Sequence, residues 1–308
     1  MFEDLKAAAL RHTPPLTELQ SAGEQALGPA AVAAVAVLTL AVLSFGKKSA
    51  SSAAAWALLA AVGVANYYRH ALPWWPERRP DVPVIAWHWL FPLFVLFVHD
   101  GALLGSEGRT WRVWVRRLAL VGFAAWVLVP PDFRKPSVPV PSFTDQWPVA
   151  AFAALVLLGW AGSEAVARQS PGWTVALGLS FALFGAGFVL AHAHSASLAD
   201  VLSIAGAGMF GVAVVAFAAR VDVSGAIPGA TLLLPAVLMI GKNVTFSEVP
   251  WSAYITAAAP PVAVGLLAIP PVSRLTTWRW PLFWVLCLGP TAAAVTLAMR
   301  AETLIEEW

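Results

Sequence analysis

Few ionisable side chains fall inside the apolar stretches of this chain, and any buried chemistry would have to use them. His88, His99 and Asp100 lie in one stretch, WHWLFPLFVLFVHDG. Glu164 stands near the end of another, and His192, His194 and Asp200 bracket the start of a third. A charged group at the centre of a membrane helix costs about 2.5–3.5 kcal/mol, so such residues are functional suspects.

They divide into two sets. His88, His192, His194 and Asp200 offer three imidazoles and a carboxylate, the donors of a metal site; two of the histidines could instead hold a haem. His192 and His194 are two residues apart and diverge on a helix, so they converge only in turn or extended backbone. The plainer reading makes them interfacial histidines in a short turn, with Asp200 favoured by a helix dipole. His99, Asp100 and Glu164 form the second set. Carboxylates held inside helices can take up and release protons, the chemistry of a relay. The plainer reading pairs Asp100 and Glu164 with Arg116, Arg117 or Arg168 near helix ends.

Proline supplies a third kind of candidate. Pro92 and Pro235 fall within apolar stretches, and a helix broken there would expose backbone groups to an ion or solute near mid-membrane. The plainer reading is a kink absorbed by neighbouring helices.

The elements that must position these residues follow from composition. Of 308 residues, 59% are hydrophobic and 12% charged, and mean hydropathy is +0.73. Soluble proteins average about 25% charged residues. A chain this apolar cannot cover a water-facing surface, which excludes an ordinary soluble enzyme. A net charge of +2 gives no basic face for nucleic acid. The single cysteine, Cys287, excludes internal disulfides and CxxC chemistry. Many of the 16 tryptophans sit where apolar runs begin or end, among them Trp111, Trp147, Trp173, Trp251 and Trp280, as membrane–water boundaries favour.

The reading is an all-α bundle of about ten transmembrane helices, since a span takes roughly 20 apolar residues. The stretches are 28–45, 53–68, 84–104, 113–129, 149–167, 173–191, 198–219, 226–240, 254–269 and 281–299. The eighth and ninth, broken by Pro228, Pro235, Pro260 and Pro261, are short, and one could be re-entrant. Residues 1–27 form a polar segment. Within it Phe2, Leu5, Ala9 and Leu10 could line an amphipathic helix, and no secretory signal pattern precedes the first apolar run. Residues 28–308 form one membrane domain. Basic residues favour the side holding Lys47, Lys48, Arg109, Arg112, Arg116, Arg117, Arg168, Arg220, Arg274 and Arg279, which places that side in the cytoplasm.

A faint repeat relates residues 28–167 to 173–299. Ser49-Ala50-Ser51 answers Ser195-Ala196-Ser197, Pro92 answers Pro235, and Trp147-Pro148 answers Trp280-Pro281. Two halves of five spans each would run oppositely, the inverted layout of many secondary transporters. The same residues also recur wherever helices begin, with no duplication needed.

Three functional readings follow for an integral multi-pass protein whose first partner is the lipid bilayer. One is a secondary transporter of a small solute, using Pro92, His99, Asp100, Glu164 and Pro235. Another is a non-catalytic scaffold or subunit, alone or in a homo- or hetero-oligomer. The last is an enzyme holding a metal or haem at His88, His192, His194 and Asp200. The first two require no cofactor, and the balance is against an enzyme.

Overall fold

The computed structural model describes residues 23–69, 86–104, 111–129, 147–244, 249–270, 272–274 and 278–305. The amphipathic segment expected at residues 2–10 lies outside them, as do Arg109 and most of the proline-rich stretch before Trp147. The described chain is helical: α1 Gly28–Phe45, α2 Ala50–Arg69, α3 Leu90–Leu104, α4 Trp111–Leu128, α5 Trp147–Ala167, α6 Gly172–His192, α7 Ala196–Ala219, α8 Ile227–Val244, α9 Trp251–Ala258, α10 Pro260–Gly265 and α11 Arg279–Ile305. Within the described residues, each of the ten apolar stretches is largely helical, the ninth as the pair α9 and α10.

Among the described residues, seven helices are long and apolar enough to cross a membrane: α1, α2, α5, α6, α7, α8 and α11. The bent pair α9–α10 makes an eighth if counted as one span. The expected ten spans are thus not all confirmed. Helix α3 has only 15 residues, and Arg112, Arg116 and Arg117 fill the first two turns of α4. The chain is a multi-pass helical membrane bundle. Helices α6 to α8 are apolar on nearly every face, as burial among other helices and lipid requires. Large side chains facing outward, such as Leu40, Phe45, Phe188 and Val285, suit lipid.

Small residues set the close contacts at the centre. Helix α7 packs along α6, α1 and α2. A methyl on Gly208 would stand 2.7 Å from Ala61 Cβ of α2, and one on Gly211 2.6 Å from the Ala31 carbonyl of α1. The runs 206–211 and 185–187 are thus helix-packing faces, as small-residue stripes are in membranes.

Five connections meet at one end of the bundle. The Ser51 hydroxyl at the start of α2 shares a 3.1 Å hydrogen bond with Ser224 and accepts one of 3.0 Å from the Gly225 N–H, before α8. Gly101 near the end of α3 abuts the Gly225 carbonyl. Gly172, opening α6, abuts the Val221 carbonyl after α7. Arg279, opening α11, donates to Gln169 after α5 at 2.8 Å. This end carries Lys47, Lys48, Arg112, Arg116, Arg117, Arg168, Arg220 and Arg279, whereas Arg69, Lys242 and Arg300 lie toward the other.

The prolines behave differently from one another. Pro92 is the third residue of α3, in the first turn, where its missing N–H breaks nothing. Pro235 is buried inside α8, which continues through it. Neither interrupts a described helix. The break falls at Pro260-Pro261: two successive residues lack the N–H that would continue the ladder, and α9 and α10 are bent by 41°.

The five-plus-five duplication is not carried into the packing. Its landmarks do fall at helix starts, those of α2, α5, α7 and α11. Yet α6 packs along α11, while the corresponding α1 and α5 do not pack along one another.

Candidate functional site

The ionisable residues of α3, α4 and α5 meet near the basic end. Asp100 is buried and takes an ion pair from Arg116 Nε. Glu164 is buried as well, and the Arg117 guanidinium grips it with both terminal nitrogens, at 2.8 Å and 3.2 Å. Arg168, one turn further along α5, pairs with Glu164 from the solvent side. Arg117 lies between two rings, 4.6 Å from the Trp160 centroid and 5.3 Å from that of Trp114. A buried arginine keeps its charge, so a carboxylate and aromatic faces take the place of water around it.

In this geometry the carboxylates of the second set sit beside arginines. Asp100 and Glu164 are partners of Arg116, Arg117 and Arg168, the plainer of the two readings. His99 is not part of a His–Asp relay. Successive residues on a helix point about 100° apart; His99 is exposed against the Trp56 ring of α2, 6.2 Å between centroids, while Asp100 turns inward toward α4. The sequence placed the arginines nearby but did not show that Arg117 would be buried between tryptophans.

The first set stays scattered. His88 sits in the 3-10 turn Ala86–Trp89, which packs on α3 and α4. His192 ends α6, and His194 is an exposed turn residue with φ of 57°. Asp200 lies in α7, whose start packs on Leu190 and Gly241 of other helices. Among the described residues no three His, Cys, Asp or Glu side chains converge as metal ligands. The His88 turn packs against α3 and α4, neither of which packs closely along α7 among the described residues.

Sequence reasoning passed over a site at the broken span. Helix α10 lies against α5 on glycine. A methyl on Gly162 would stand 2.7 Å from Gly265 Cα, and one on Gly159 would stand 3.1 Å from Pro261. Beside this contact is a void of about 10 Å³, lined by Ser163, Gly178, Pro260, Pro261, Phe283 and Cys287 among others. That is close to the volume of one water probe. The buried Ser163 hydroxyl has no hydrogen-bond partner among the described residues, while Cys287 Sγ donates to the Gly178 carbonyl at 3.2 Å. Ser163 and Gly178 stand about 6–9 Å inside the basic end, by helical rise. Two adjacent prolines after an apolar run were the available signal.

A second and larger concavity opens at the surface of the same end. It measures about 590 Å³ and is walled by the α5–α6 turn and the end of α7, with Arg168, Ser170, Trp173, Phe217, Arg220 and Asp222 in its lining. Some interior hydroxyls are satisfied locally: Ser180 donates to the Gly206 carbonyl, and Thr231 to those of Ile227 and Pro228. Others, such as the buried Thr174 Oγ1 and Trp160 Nε1, have no hydrogen-bond partner among the described residues.

No protein-family model, curated protein or solved structure gives a significant match to the chain.

Proposed function

We propose that this multi-pass membrane protein is a carrier of a small solute, that the break at Pro260-Pro261 is its moving part, and that the basic end faces the cytoplasm. The observation that carries the reading is the broken span itself. It rests on a glycine bed, which lets one helix slide on another without interlocking side chains, and it borders a buried hydroxyl with no partner. Discontinuous helices are where transporters bring backbone groups to bear on solutes. The orientation follows the excess of Lys and Arg close to the helix ends. Asp100 and Glu164, expected as coupling groups, serve in this reading to lock α3, α4 and α5 together while α10 moves.

Cysteine access tests it. In full-length Cys287→Ala protein in sealed vesicles, Ser163→Cys is expected to react with a charged, membrane-impermeant thiol reagent added to either side. Leu158→Cys, on the outward face of α5, is expected to stay unreacted in lipid. A Ser163→Cys protein that never reacts from either side, while Lys48→Cys reacts normally, overturns the carrier reading.

That outcome would favour the scaffold reading, which has its own support. The ion pairs of α3, α4 and α5 and the hydroxyl–backbone bonds of α6 and α8 tie the helices into a rigid body, as a subunit that only positions a partner needs. A scaffold of this kind co-purifies with one partner in fixed ratio.

A further inference from the structure

We infer that the 590 Å³ cleft at the basic end is a binding site for the phosphate headgroup of a membrane phospholipid. Its volume lies in the range of small-molecule sites, about 300–1,000 Å³. Its place is the level at which a span meets water, because its walls are the end of α5, the start of α6 and the end of α7.

The charge in the cleft suits an anion. Arg168 lines it and belongs to a cluster in which Arg117 and Arg168 share the one carboxylate of Glu164, leaving a net positive charge. Arg220 lines the opposite wall. It is exposed, and its guanidinium makes no hydrogen bond or ion pair with any described residue. Arg220 also takes the left-handed cap position that ends α7, with φ of 52° and ψ of 55°. Glycine suits that conformation best, because a side chain there crowds the following carbonyl. A lone arginine is thus held over the cleft at a position where the backbone alone would favour glycine.

The facing carboxylate is occupied. Asp222 also lines the cleft, but its two oxygens accept hydrogen bonds from the Ser224 N–H at 3.0 Å and the Ser224 hydroxyl at 2.9 Å. Helix α6 opens on the cleft with no acidic residue in its first turn and no side-chain cap. Arginine recognises a phosphate through two parallel hydrogen bonds.

The apolar part of the lining distinguishes a lipid from a free anion. Trp173 and Phe217 meet edge to face, 5.5 Å between centroids, and Phe217 is exposed. Trp280 stacks on the other side of Trp173 at 5.9 Å. This aromatic wall lies beside the arginines, where the glycerol and first acyl carbons of a bound lipid would run. A free phosphate would have no use for it.

Retention of lipid by the purified full-length chain is the test, read by native mass spectrometry after delipidation and titration with phosphatidylglycerol. The parent protein is expected to hold the lipid, Arg220→Gln to hold it about ten-fold more weakly, and Arg300→Gln at the opposite end to match the parent. Because Arg220 is exposed and unpaired, Arg220→Gln should unfold at the parent temperature, which separates lost binding from lost fold. Diacylglycerol with the same chains should not be retained. Equal retention by Arg220→Gln, equal retention of diacylglycerol, or displacement of the lipid by millimolar inorganic phosphate would each overturn the assignment. The test does not depend on the carrier reading, since the cleft and the broken span share no lining residue.

Discussion

At the scale of the residue, the deciding group is Arg117. It is 3% exposed, and Glu164 is the carboxylate bound to it. Breaking a buried pair by removing one partner leaves the other charge uncompensated and costs about 3–5 kcal/mol. Glu164→Gln is therefore expected to lower stability by that amount, measured as thermal unfolding of the purified protein in detergent. Asp100→Asn should cost less, about 1–3 kcal/mol for a charged hydrogen bond. The Arg116 side chain is 32% exposed, so water can take up the guanidinium that Asp100 releases. If both variants unfold with the parent, the network does not hold the helices together.

At the scale of the element, glycine separates contacts that matter from open surface. A methyl at Gly162 meets the backbone of Gly265, which cannot rotate away, whereas one at Gly122 meets nothing within 4 Å. Gly162→Ala is expected to push α10 off α5 at a cost of about 1–3 kcal/mol, the usual penalty of overpacking. Gly122→Ala should be neutral or stabilising by up to about 1 kcal/mol, because alanine favours helix. Unfolding of both variants under one condition checks the contrast. Equal stability would mean that α10 is not seated on α5. The prolines teach a related point. A single Pro235 leaves α8 continuous, while two in a row at Pro260-Pro261 bend the chain, because two consecutive ladder bonds are lost instead of one.

At the scale of the whole molecule, the connections gathered at one end make that end basic, and the orientation proposed above follows from it. In sealed vesicles with the cytoplasmic face inward, Asn243→Cys in a Cys287→Ala background should react with an impermeant thiol reagent from outside. Lys48→Cys should react only after the vesicles are opened. The reverse pattern would invert the molecule and move the arginine-lined cleft to the outer leaflet.

Much of the architecture is legible without coordinates, because lipid as solvent imposes simple rules. Apolar runs long enough to span must be helices, since no water is present to satisfy their backbone. The stretch 28–45 is the observed α1, and Trp147 and Ala167 bound α5. What composition could not specify is lateral neighbourhood. A helix in lipid is apolar on its buried and exposed sides alike, so its pattern does not show which face meets which partner. Only packing decided that Arg117 reaches Glu164, 47 residues away, and that His88 stands apart from His192 and His194. The break at Pro260-Pro261 was among those the sequence offered, but only the structure showed that α8 runs on through Pro235. Spans follow from local hydrophobicity, whereas sites depend on contacts between distant segments, and those exist only once the helices have chosen their neighbours.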